Sequence, residues 1–207
     1  MDELLEKSEG LNSEFSRIFE FGPAGDSKRV NASWIMCLVA LEHSSSLRQL
    51  AMCGNYTSAI CIIRSQFEAL TRAAWLFYAA SDQKVENTFS TLSELSQSAD
   101  QKPNNAEMIK ALEGKAPAQA VAMFSEFRDV QWKGLNSYVH GGIHALQRHG
   151  SGYPIQLVEQ IIKSSNGLLT MTAVMAAILT GNEVIVKDIT RIQRRHKDCL
   201  PDLLPHL

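Results

Sequence analysis

Apolar side chains recur along this chain at intervals of three and four from end to end, and no stretch sustains the alternation of a half-buried strand, so the pattern predicts an all-helical protein. Residues 2–20 read as an acidic amphipathic helix, stopped by the breaker Gly22-Pro23-Ala24-Gly25-Asp26. Ser27 or Asp26 is placed to cap a second helix from about 28 to 53, which Gly54-Asn55 closes. A third helix runs from about Tyr56 to Ala80, and the short connection forces it to lie antiparallel to the second. Ser81-Asp82 opens a polar helix near 82–97, and Ser98 to Asn105, containing Pro103-Asn104-Asn105, reads as a loop. A short helix over 105–114 precedes a long one over 117–147, whose weak points are Gly134 and the pair Gly141-Gly142. Pro154 suits the first turn of a final core helix reaching about Thr180, and a short basic helix follows Gly181. No internal repeat is present. The expected architecture is an all-α up-down helical bundle in a single domain over 1–207, with a core of about 28–180, extra helices at the N-terminus, in the middle (about 82–115) and at the C-terminus, and a basic tail over 182–207.

The third helix changes this bland picture. Ile60, Ile63, Phe67, Leu70, Ala74 and Phe77 form one seam, while Ile62, Ala69, Ala73, Leu76 and Ala80 make the opposite side apolar too. A helix apolar nearly all round belongs in the middle of a fold, where its few charges need a reason. At about 100° per residue, Arg64, Glu68 and Arg72 fall in one sector beside the seam. Arg64 and Glu68 are four apart, in the order that supports a helix less well. Two readings follow: an ion pair that ties helices together, or a polar groove lined by Arg64.

A second concentration of polar chemistry is Leu135 to His144. Trp132, Leu135, Val139, Ile143 and Leu146 make its apolar seam, and Asn136, His140 and His144 follow at intervals of four along the flank. If this helix packs beside the third, the two polar margins open onto one groove and bring a guanidinium, a carboxylate and an imidazole together. The alternative is a satisfied histidine in a helical interface. His140 and His144 lack an H-E-x-x-H or E-x-x-H pattern, so no metal ligand and no cofactor are assigned. Gly141-Gly142 costs about 2 kcal/mol against alanine inside a helix, which suits a place where backbone approaches another helix, a second subunit or a ligand closely.

Composition adds bounds. The chain has 207 residues, 45% hydrophobic and 20% charged, with a net charge of −2, so any attraction to polyanions must come from a local patch. That balance hides a split: the first twenty residues carry a net −4 and Lys187 to Asp198 a net +3. The basic stretch reads as a solvated helix that meets the acidic N-terminal one, or as a phosphate-contacting patch. The acidic start has no secretory character, and Leu168 to Leu179, at 12 uncharged residues between Gly167 and Gly181, falls short of the roughly 20 a bilayer requires. A cytoplasmic protein without membrane association is expected. Cys37, Cys53, Cys61 and Cys199 form no C-x-x-C pair and read as reduced, mostly buried thiols.

Two segments resemble the HEPN superfamily of small helical bundles, especially its divergent, uncharacterised bacterial branches. One is Gly54-Asn55-Tyr56, then Ala59, then Arg64-Ser65-Gln66-Phe67-Glu68; the other is Ser137-Tyr138-Val139-His140-Gly141. The likeness spans roughly residues 30–180. It implies a HEPN-like bundle and, as in many of its members, a metal-independent endoribonuclease of toxin–antitoxin or phage-defence systems that acts as a homodimer on RNA, with an antitoxin or regulatory protein as a further partner. Family nucleases carry an R-x4–6-H motif. This chain departs from it: Arg191 and His196 have the spacing but lie in the tail and are about 140° apart on a helix, and Arg128 stands twelve residues before His140. The cation must then come from Arg64 on another helix. On this reading His140, Arg64 and Glu68 are the catalytic candidates, and Asn136, Ser137, Tyr138, His144 and Arg72 the binding ones. The alternative function is a non-catalytic bundle that dimerises or binds a partner or ligand.

Overall fold

The computed structural model describes residues 1–89 and 103–202, and every regular element among them is helical. Helix α1 (Asp2–Ser16) begins with Asp2 and Glu3, whose charges suit the positive end of the helix dipole, and runs into a 3-10 turn (Arg17–Phe21). Gly22, at φ 70°, ends it. Helices α2 (Lys28–Met52) and α3 (Tyr56–Tyr78) form an antiparallel hairpin around Gly54, also at positive φ. Ser27 holds the N-cap position of α2 but makes no side-chain cap bond; the Ser27 carbonyl instead accepts from Asn31 N–H at 2.9 Å. A true cap opens α4 (Asp82–Asn87), where the Ser81 hydroxyl accepts from Lys84 N–H. This helix ends at Asn87, with a turn at Thr88 and Phe89; residues 90–97 of the helix expected near 82–97, and most of the loop expected after it, lie outside the described residues. Helix α5 (Asn105–Leu112) opens on a capping box in which Asn104 and Glu107 exchange backbone and side-chain bonds.

Helices α6 (Ala118–Val139), α7 (Ile143–Ser151) and α8 (Ile155–Leu179) follow Pro117, Gly142 and Pro154, and α9 (Glu183–Arg195) is capped by Asn182. The segment expected as one helix over 117–147 is therefore two. It breaks at Gly141-Gly142, while Gly134 stays within α6.

Helix α3 is the hub, packed against α2, α5, α6, α7 and α8, as its two apolar sides require. Ile60, Ile63, Phe67 and Leu70 are fully or almost fully buried along its seam, and Ala69, Ala73 and Leu76 are buried on the other side. Phe67 stacks on Phe127 of α6 at 4.4 Å between ring centroids and meets Phe124 and Trp132 at 6.2 and 6.3 Å. Helix α8 has the extent its sequence suggested, and Gly167 within it does not interrupt it but makes room for Pro201. By length and composition α8 could cross a membrane, yet 67% of its most apolar window is buried in the bundle, against α2, α3, α1 and α9. Two of the cysteines, Cys37 and Cys199, are buried; Cys61 is half-buried and Cys53 exposed, so the thiols are less uniformly interior than expected.

The charge split is a docking device. Arg195 of α9 places Nη1 2.9 Å from both carboxylate oxygens of Glu14 on α1, and His196 Nε2 lies 2.8 Å from the same carboxylate. The His196 bond and then the Arg195 charge hold the Glu14 carboxyl below its ordinary value. Behind this clasp Asn166 of α8 donates to Ser8 Oγ and to the Cys199 carbonyl. Arg191 pairs with Asp188, while His196 bonds Glu14, so the tail residues with the R-x4–6-H spacing take separate partners.

Candidate functional site

The polar sector of α3 meets the end of α6. On α3, Arg64 Nε donates to Glu68 Oε1 at 3.0 Å, and both side chains are partly exposed. The guanidinium lies over the Trp132 indole of α6, 4.7 Å from the ring centroid, and its Nη1 is 3.4 Å from His140 Nε2. Arginine can only donate, so this contact needs Nε2 bare and the imidazole proton on Nδ1. His140 itself is exposed at the C-cap of α6, its backbone N–H bonded to the Asn136 carbonyl at 3.0 Å. Carboxylate, guanidinium and imidazole thus form a continuous chain ending in a solvent-facing proton acceptor. Arg72 is half-buried one turn beyond Glu68; burial holds its pKa below the ordinary value and the Glu68 charge opposes that fall.

The remaining candidates do other work. Ser137 Oγ accepts from His144 N–H at 3.1 Å, so a hydroxyl of α6 caps α7 across the break. Tyr138 is buried in the core, where desolvation pushes its phenol pKa up, and Tyr153, Arg148 and Cys61 are its neighbours there. Asn136 turns Oδ1 inward, where it is buried and meets no hydrogen-bond partner. His144 is exposed, its ring 6.1 Å from that of Tyr138. It does not continue the flank of Asn136 and His140, because the non-helical residues 140–142 reset the helical phase. The same reset corrects the seam beyond the break, where Ile143 and Leu146 are exposed instead of packed; Val139, the last residue of α6, is exposed as well.

The two glycines have a local cause. Gly141 adopts φ 63°, and the Gly142 N–H donates to the Ser137 carbonyl at 2.6 Å. A Cβ on Gly142 would lie 2.6 Å from Ser137 Oγ and 3.0 Å from Ser137 O. Within the chain, the close approach that Gly142 permits is to the preceding turn of α6 and not to another helix. Gly142→Ala is therefore expected to lower stability by about 1–3 kcal/mol in urea denaturation, as overpacking against fixed backbone does. A variant as stable as wild type would show that the turn yields.

Sequence reasoning passed over Trp132, which takes a seam position, yet is the shelf for Arg64; Arg128 stands over the same ring at 5.9 Å. The available signal was an aromatic seam residue eight positions before His140, about two turns back and about 80° round the helix from it. The family model described as a family of unknown function (DUF6988) matches residues 37–202, which include every residue of this cluster. No curated protein and no solved structure matches the chain.

Proposed function

From the premise that the chain belongs to the DUF6988 family, whose function is unknown, we propose that it is a metal-independent endoribonuclease on a HEPN-like bundle. The observation that carries this reading is the contact of His140 with an arginine that a carboxylate orients, assembled from two helices on an open surface. A small cavity lined by Ala51, Ile60, Val158 and Ile162, among others, is wholly apolar and does not include the cluster. An open site suits a polymer better than a small molecule.

In the proposed reaction His140 Nε2 takes the proton of a ribose 2′-hydroxyl, and the 2′-oxygen attacks the adjacent phosphorus. Arg64 stabilises the charge that grows on the non-bridging oxygens, and Glu68 positions Arg64. The P–O5′ bond breaks, and the 5′-oxygen leaves with a proton from the imidazolium, giving a 2′,3′-cyclic phosphate and a 5′-hydroxyl. A homodimer, which the same reading entails, has an apolar surface to form on in Val139, Ile143 and Leu146 beside His140. Incubation of the purified protein with RNA in EDTA tests the proposal: fragments ending in cyclic phosphate are expected, and intact RNA overturns it. The competing reading, a non-catalytic bundle, draws on the stacking of Arg64 over Trp132, a contact that fixes α3 against α6 without any chemistry.

A further inference from the structure

The polar sector of α3 extends further than Arg64, Glu68 and Arg72. Thr57 and Cys61 precede them at spacings of four and three, so one stripe runs Thr57, Cys61, Arg64, Glu68, Arg72 along the helix. Its N-terminal end is covered by α7 and the segment after it. There the Thr57 hydroxyl lies 2.6 Å from the Tyr153 hydroxyl and 3.3 Å from His149 Nδ1. Arg148, the residue before His149, is half-buried and near enough to the Tyr138 phenol to oppose the rise that burial gives its pKa. On α7, Arg148 and His149 flank the buried Ala145 and so face α3, while Ile143 and Leu146 point away.

The charges of this cluster are unbalanced. No Asp or Glu occurs between Asp129 and Glu159, a stretch that carries Lys133, Arg148 and three histidines. Among the described residues Arg148 makes no ion pair. A guanidinium has five N–H donors, and a single phenol oxygen occupies little of that capacity. With the imidazole of the next residue in contact with the Thr57 hydroxyl, the complement is an anion with several acceptor oxygens, such as a phosphate. Seven residues separate Thr57 from Arg64, about 10 Å along the helix axis. Three stacked nucleotides, at about 3.4 Å each, span that distance.

We propose that Arg148, His149 and Thr57 form a phosphate subsite that holds the backbone of the RNA strand about two helical turns from the bond cut at His140. The subsite rests on the endoribonuclease reading, and the strand then follows the polar stripe of α3. Its test uses two readouts: anisotropy of a fluorescein-labelled oligodeoxyuridylate octamer, which lacks the 2′-hydroxyl and is not cut, and steady-state cleavage of a fluorogenic RNA octamer. Arg148→Ala is expected to raise the octamer Kd and the KM about five- to tenfold with kcat within twofold, and to lower the salt dependence of binding by about one phosphate contact. Arg148→Lys should recover most of the loss, and His149→Ala, at an exposed position where folding is not at stake, should raise KM in the same direction. Wild-type Kd and KM in Arg148→Ala overturn the subsite while cleavage stands, and so does a fall in kcat at constant KM. Wild-type protein that neither binds the octamer nor cuts RNA overturns the subsite together with the reading beneath it.

Discussion

His140→Ala is expected to slow RNA cleavage by about 10²- to 10⁴-fold, the usual contribution of a positioned acid–base group, while leaving the melting temperature unchanged. The two halves of that expectation have separate causes. The imidazole is the only group of the cluster that both faces solvent and has a free proton-accepting nitrogen once Arg64 moves onto a phosphate. Its one side-chain hydrogen bond, at 3.4 Å, is long and exposed, so its loss falls within the roughly 0.5 kcal/mol typical of surface substitutions. A non-catalytic bundle inverts both halves: cleavage, if any, is the same in wild type and variant, and Arg64→Ala and His140→Ala lower stability because they loosen α3 from α6. Activity and thermal unfolding measured on the same preparations decide between the two. Growth of bacteria expressing each form adds an independent reading, since a ribonuclease toxin arrests growth in the wild type and not in His140→Ala.

Phe67→Ala is expected to cost about 3–5 kcal/mol of unfolding free energy, the range for emptying an aromatic position in a core. Phe67 is fully buried and is the residue through which α3 meets three rings of α6 at once. Truncation leaves Phe124, Phe127 and Trp132 facing a hole that the stiff α3 backbone cannot close. Because Trp132 also supports Arg64, cleavage should fall further than the unfolded fraction explains. Phe67→Leu, which keeps much of the volume, should lose about 1–1.5 kcal/mol and retain the site. Urea denaturation reads both; a loss below about 1 kcal/mol for Phe67→Ala would mean that the aromatic cluster is not what holds α6 in place.

Much of the fold was legible because its punctuation is chemical. Gly22-Pro23, Gly54-Asn55 and Pro154 mark real ends, and the two-sided apolarity of Ile60 to Leu76 identifies α3 as the buried hub. The pairing of Arg64 with Glu68 follows from helical spacing alone. The position of His140 was readable only as a condition, since it depends on α6 lying beside α3, which no local pattern encodes. Beyond His140 the periodic reading failed for one reason: three non-helical residues shift the phase, so Ile143, His144 and Leu146 face other directions than an unbroken helix would give them. The Thr57–His149 contact joins residues 92 apart and left no trace in either local pattern.

Arg64 and His140 are themselves 76 positions apart. At about 5–20 residues per second of synthesis, the ribosome releases the histidine roughly 4–15 s after the arginine. During that interval the nascent chain, surrounded by messenger and ribosomal RNA, holds Arg64 and Glu68 but not the imidazole that completes the cluster. On the proposed function, a site divided in this way stays inert beside the machine that makes it until α6 has emerged and docked on α3.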